Sequence, residues 1–334
     1  MMKRIVKIKL FIALTVSVLA ISVSAFLVPC MFLPGELNEE KVIVIKSGMT
    51  IGEISSLLLD EKVIKHDQVF EIVSHIYSYY SPLKSGEYKL TKHITPYQVM
   101  RKLAIGKSVI HRLFIPEGSS VHEIIDILNN NERLIGKISG IIPEGYLMPS
   151  TYHYSYGDQR EHIISQMRKN MSTTLSKVML KLPLTSTLKT RKDILTLASI
   201  IEKEAGNNEE KSKIAAVFIN RLKKGMKLQA DPTTIYAITE GKYKLERPLN
   251  RKDLTIKSPY NTYYVYGLPK GPISCPSKTS LEATINPAKI DDLYFVVNGC
   301  GGHNFSKTLK EHNSNIQKFK EKRRGKKNYC PNTD

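Results

Sequence analysis

Cysteines, acidic residues and the short motifs of common hydrolases are all scarce in this chain, and each shortage narrows what it can do. The 334 residues hold four cysteines, Cys30, Cys275, Cys300 and Cys330, too few and too dispersed for a disulfide scaffold. Cys275 and Cys300 could pair in an oxidising compartment, although free thiols suit the sequence at least as well. No paired C-x-x-C or HExxH motif occurs, so nothing in the spacing of Cys300, His303 and His312 supports a zinc site. Ser274 and Cys275 lack a nucleophile elbow. The glycine-rich "GCGGHNF" around His303 lacks the helix and spacing of a phosphate loop. Acids are outnumbered, 31 against 50 Lys and Arg, giving a net charge of +19. That balance favours nucleic acid, anionic lipid or an acidic cell-wall polymer as partner. A hydrophobic content of 41% argues against wholesale disorder, and the length allows two or three domains.

Charge is missing altogether from Leu10 to Leu33, directly after Lys3, Arg4, Lys7 and Lys9. Those 24 residues would span ~36 Å as a helix, enough to cross a bilayer. The basic cluster before the run and Glu36, Glu39 and Glu40 after it place residues 1–9 in the cytoplasm and the body outside. A cleaved signal peptide competes, because Val23-Ser24-Ala25 resembles a cleavage site and Leu27-Val28-Pro29-Cys30 loosely resembles a lipoprotein box. The apolar run continues beyond Ala25, which favours a retained anchor over 10–33 in the cytoplasmic (inner) membrane. An exported body, periplasmic or extracellular, disfavours nucleic acid as partner.

Two segments 70 residues apart share a pattern: "VIKSGMTIGEISSLL" from Val44 and "FIPEGSSVHEIIDIL" from Phe114. Each reads as strand, glycine turn (Gly48, Gly118) and a helix opened by a capping box, Thr50 with Glu53 and Ser120 with Glu123. The first copy continues through a second helical pattern into "SGEYKLT". A further helix is predicted from Thr95, with Pro96 in its first turn and Gly106 as its stop. Strand, helix, helix, strand over 41–110 resembles the LysM carbohydrate-binding module. Residues 111–185 hold the second, partial unit and the entry to a C-terminal mixed α/β domain at 186–319. The fold class is thus α+β. The basic end, 320–334, reads as disordered and well solvated.

The segment "ASIIEKEAG" ends an apolar helix on Glu202 and Glu204, with Gly206 as the expected stop. Two residues apart on a helix, the carboxylates point about 200° apart and cannot share a site. If either is catalytic, it acts alone or with a distant partner. Glu202 aligns with Ala198 and Ala205, whose small side chains would admit a substrate and leave a poorly solvated, proton-bearing carboxyl. Two solvated surface glutamates would fit the pattern equally. Tyr260, Asn261, Tyr263, Tyr264 and Tyr266 offer flat faces and polar groups to sugars, or edge a packed hairpin. His303 could contact substrate or orient its loop, and Asp231 suits a helix cap.

Several segments in order, "PEGYLMPSTY", "LASIIEKEAG", "KIAAVFINRLKKGMKLQADPTTIYAI", "SPYNTYYVYGLPKGPI", "LEATINPAKIDDLYFVV" and "GGHNF", resemble the MltG-type, or YceG-like, endolytic murein transglycosylases. The resemblance runs from the anchor to about Phe319. It implies that Glu202, the first glutamate of "EKE", is catalytic. It further implies a lyase that cuts the bond between N-acetylmuramic acid and N-acetylglucosamine in peptidoglycan strands, leaving 1,6-anhydro ends. Such an enzyme needs neither metal nor cofactor and works beside peptidoglycan synthases. Tyr260, Asn261, Tyr263 and His303 are the candidate substrate contacts. Ser274 to Ser277, Ser150 and Asn298 depart from the family pattern, which weakens any carry-over of contacts in those loops. A membrane-tethered, non-catalytic glycan-binding scaffold is the competing reading.

Overall fold

The computed structural model describes residues 2–324. They divide into two compact units, one of residues up to 111 with 133–135 and 153–158, the other of residues 112–132, 136–152 and everything from 159. The architecture is mixed α+β: eleven α-helices and three two-stranded sheets among the described residues.

In the first unit the charge-free run is helical, as α1 (Met2–Phe32), and residues 9–32 are apolar and long enough to cross a membrane. Then follow β1 (Lys41–Ile45), α2 (Ile51–Asp60), α3 (Asp67–Ser78), β2 (Gly86–Leu90) and α4 (Pro96–Ile105). Strands β1 and β2 pair antiparallel, with Lys41 opposite Leu90 and Ile45 opposite Gly86. Alternation sends Ile43, Ile45, Tyr88 and Leu90 inward onto Leu58, Phe70, Met100 and Leu103, a core belonging to this unit alone. The capping box of α2 forms as the sequence predicts, Thr50 with Glu53, and α4 opens at Thr95 as expected, closed there by a box with Gln98. Gly48 supplies a turn residue at φ 88°, where a side chain would be strained.

Strands β3 (Ile110–Phe114) and β4 (Thr151–Ser155) form the second sheet. The second repeat reads β3 and α5 (Val121–Asn129), with its Ser120–Glu123 box formed but no second helix before β4. After α6 (Arg160–Leu180) comes α7 (Arg191–Glu204), opened by a box of Thr190 and Asp193. Sequence periodicity predicts one buried face on α7. Every residue from Ile194 to Ile201 is buried, because α6, α8 (Lys211–Lys223), α9 (Asp231–Thr239) and α10 (Lys278–Ile285) all pack on it. The helix stops at Ala205, whose backbone turns extended, so Gly206 is not its left-handed cap.

Strands β5 (Tyr294–Val297) and β6 (His303–Ser306) form a hairpin around the glycine-rich turn, with Val297 opposite His303. Helix α11 (Leu309–Arg324) covers the first residues of the tail read as disordered, and the remainder lies outside the described residues. Cys275 is a free, buried thiol, so the pairing with Cys300 does not form.

Candidate active site

Glu202 and Glu204 occupy the last turn of α7, and the 200° between them sends the two carboxyls into unlike surroundings. Oε2 of Glu202 accepts from the Ser277 amide at 2.8 Å, the Ser277 hydroxyl at 2.5 Å and the Ser280 hydroxyl at 2.7 Å. Oε1 accepts from Lys211 Nζ at 3.0 Å. Ser277 caps α10 and Lys211 begins α8, so one carboxylate fastens three helices. The side chains of Lys211 and Glu202 are only 5% and 7% exposed. Burial is the largest influence and pushes the Glu202 carboxyl up. The hydrogen bonds from Ser277, Ser280 and Lys211 together outweigh it and hold the group below the ordinary carboxylate range. The expectation of a proton-bearing carboxyl at Glu202 is therefore corrected: Ala198 is wholly buried, and donors fill the space where a substrate would approach.

Glu204 lines a cavity of about 420 Å³ shared with Arg221, Gln229, Asp231, Tyr263, His303 and His312. Its carboxyl has no hydrogen-bond partner among the described residues. Burial first, then the charge of Asp231, pushes it up to about 8, against a smaller downward pull from Arg221. Asp231 is the first residue of α9 and not its cap, which is Ala230. The Asp231 carboxylate instead accepts the Tyr263 hydroxyl at 2.6 Å. Gln229 sits at φ 51°, a left-handed conformation that a non-glycine residue adopts at a cost, here at the edge of the cavity.

The opposite wall comes from α8, the β5–β6 hairpin and α11. Arg221 donates to the carbonyls of Leu293 at 2.6 Å and Leu228 at 2.7 Å, and lies 5.1 Å over the Tyr294 ring. His312 stacks on the same Tyr294 ring, with ring centres 5.2 Å apart. Burial and then the Arg221 charge lower its pKa below the ordinary imidazole value. His303 is held by Glu210, which accepts its backbone N–H at 2.7 Å and faces its Nδ1 at 2.8 Å.

Of the four expected substrate contacts, Tyr263 and His303 line this cavity, and Tyr260 and Asn261 do not. Asn261 is fully buried and its amide is used up: Nδ2 donates to Leu254 and Ile256 carbonyls, and Oδ1 accepts from the Thr234 hydroxyl and the Tyr263 amide. It shapes the loop and has no group left for a sugar. Tyr260 packs against Tyr236 with ring centres 4.9 Å apart. Sequence reasoning passed over Arg221 and Gln229 and read Asp231 as a helix cap only, whereas all three line the cavity. Gln229 and Asp231 stand close together in "LQADPT", but Arg221 lies on α8 and Glu204 on α7. Only folding shows that they meet at Glu204.

A family model described as YceG-like matches residues 43–318. The chain is 35% identical, over 82% of its length and 83% of the relative's, to the endolytic murein transglycosylase of Bacillus subtilis (strain 168). It is 29% identical to the endolytic murein transglycosylase of Streptococcus pneumoniae serotype 2 (strain D39), matching over 85% of its own length and 59% of that protein's. A crystal structure of a YceG-like protein from Listeria monocytogenes superposes with a TM-score of 0.53 at 34% identity, covering 83% of this chain and 98% of that one.

Proposed function

Since the chain belongs to the YceG-like family, we propose that it is an endolytic murein transglycosylase, with Glu204 as its acid and base. The observation that carries this reading is the Glu204 carboxyl: raised to about 8, free of hydrogen bonds among the described residues, and facing a cavity of sugar-binding size. At neutral pH it holds a proton. It gives that proton to the glycosidic oxygen between N-acetylmuramic acid and N-acetylglucosamine as the bond from C1 breaks. The resulting carboxylate takes the proton of the muramoyl C6 hydroxyl, whose oxygen closes on C1. One bond from C1 to oxygen replaces another, the proton returns to Glu204, and no water is consumed. Ordinary glycosidases need a second carboxylate to attack or to activate water. Here the substrate's own hydroxyl fills that role, so a single carboxyl suffices.

Burial, reinforced by the charge of Asp231, keeps Glu204 protonated; Asp231 also holds Tyr263 in place through their hydrogen bond, and Tyr263 and His303 contact the sugars. Glu202, which the family resemblance suggested, is assigned to holding α7, α8 and α10 together. The relatives' names support peptidoglycan as substrate. The apolar α1 supports a single-pass anchor with the body outside the cytoplasmic membrane, and the βααβ arrangement of the first unit suits a LysM-like contact with glycan. Internal cleavage beside peptidoglycan synthases would limit strand length. Mass analysis of peptidoglycan digested by the full-length protein tests the reaction. Chains ending in 1,6-anhydromuramic acid, one water lighter than hydrolysed ends, are expected. Reducing muramic ends as the main product would make the protein a hydrolase.

A further inference from the structure

In the first unit, the end of α1 and helices α3 and α4 enclose an open groove of about 320 Å³ lined only by apolar atoms. Val28 and Phe32 of α1, Ile76, Tyr77 and Tyr80 at the end of α3, and Tyr97 of α4 form its walls. Beside it, Ile72, Ile76, Tyr79 and Tyr80 are 52%, 65%, 93% and 88% exposed. They fall at i, i+4, i+7 and i+8, one continuous stripe. The core does not explain that stripe, because α3 packs inward through Val69, Phe70 and Ser74. Contiguous exposed apolar surface of this kind marks an interaction site.

We propose that this groove and stripe form a membrane-docking surface, which takes the acyl chains and headgroup edge of phospholipid and seats the first unit on the bilayer. The inference rests on the reading of α1 as a membrane anchor. The occupant follows from what the groove is made of. The apolar span covers 24 residues, ~36 Å of helix, against a hydrocarbon thickness of ~30 Å. The excess, ~6 Å, is about one turn. The turn from Val28 to Phe32 is the one that walls the groove, so the groove opens where α1 leaves the hydrocarbon. Tyrosines collect at that depth, with rings in the acyl boundary and hydroxyls in the headgroups. Arg101, 6.0 Å over the Tyr97 ring, puts a cation at the same edge, within the layer of lipid phosphates.

The chain has no tryptophan, so a single introduced one is its only indole reporter. The test uses the full-length Ile76→Trp protein, reconstituted in phosphatidylcholine and phosphatidylglycerol vesicles with and without bromine on the acyl chains. Tyr80→Trp serves as a second probe should the first disturb folding. Val18→Trp reports on the anchor, and Tyr243→Trp on an exposed site in the second unit. Docking predicts that Ile76→Trp and Val18→Trp both emit to the blue and lose most of their emission to bromine, whereas Tyr243→Trp keeps its own. Quenching of Val18→Trp alone, with Ile76→Trp and Tyr80→Trp emitting as water-exposed indoles, would overturn docking and leave the anchor standing. Blue-shifted, unquenched emission from Ile76→Trp that depends on protein density would place a second copy in the groove instead. Failure of Val18→Trp to quench would remove the anchor and the docking with it.

Discussion

At the residue scale, two carboxyls separated by one lysine behave as opposites, and pH exposes the difference. Glu202 is held below its ordinary pKa in the folded protein, so its contribution is complete above the unfolded value of ~4.3 and fades as pH falls through the folded one. Glu204 is raised to about 8. Between ~4.3 and 8 the folded state keeps a proton that the unfolded state has lost, so this group costs more stability as pH climbs. Replacing Glu204 with Gln removes that cost. The Glu204→Gln protein is expected to gain stability relative to wild type from pH 5 to pH 8, and Glu202→Gln to be less stable than wild type throughout that range. Thermal unfolding across the series reads both, and parallel curves for the two variants would contradict the assignment. The sequence showed that the pair could not share a site, because helical spacing alone decides that. Which side was the polar clasp and which the cavity was not legible, since Ser277 and Ser280 stand more than seventy residues from Glu202, and Asp231 also lies beyond the helix.

At the element scale, capped helices and paired strands were the most readable features, because a capping box and a two-residue alternation are local. Thr50, Thr95 and Ser120 each open a helix with the partner expected three residues on. The burial of α7 on all sides was not readable, because Thr196 and Ser199 look like a polar face. Ser199 in fact serves neighbours, its hydroxyl accepting the Ile273 amide at 3.0 Å. The junction of α7, α8 and α10 turns on Lys211, which bonds Glu202, the Ser277 hydroxyl and the Thr279 hydroxyl within 3.0 Å. Lys211→Met leaves the buried Glu202 charge without its cation, which typically costs about 3 to 5 kcal/mol. Chemical denaturation should show a loss of that size. A change below about 1 kcal/mol, the range of exposed ion pairs, would mean that the clasp is not structural.

At the scale of the whole molecule, the long apolar helix, the α+β class and the family were all legible, because they rest on long runs and on many motifs in order. Of the residues expected to meet substrate, Tyr263 and His303 line the Glu204 cavity, whereas Asn261 spends its amide on neighbouring backbone and Thr234, a difference that sequence does not show because a buried amide and an exposed one look alike there. The first unit has its own core, so deleting residues 41–92 should weaken binding to insoluble peptidoglycan more than cleavage of short soluble glycans. Equal binding by the shortened protein would remove the glycan-contact role. The most direct test of the central claim is digestion of purified peptidoglycan by full-length wild type, Glu204→Gln and Glu202→Gln, with anhydromuramic ends counted by mass. The account predicts a loss of ~10² to 10⁴ in rate for Glu204→Gln, with Glu202→Gln retaining activity in proportion to the protein that stays folded. A folded Glu202→Gln protein that is inactive, beside an active Glu204→Gln, would contradict it.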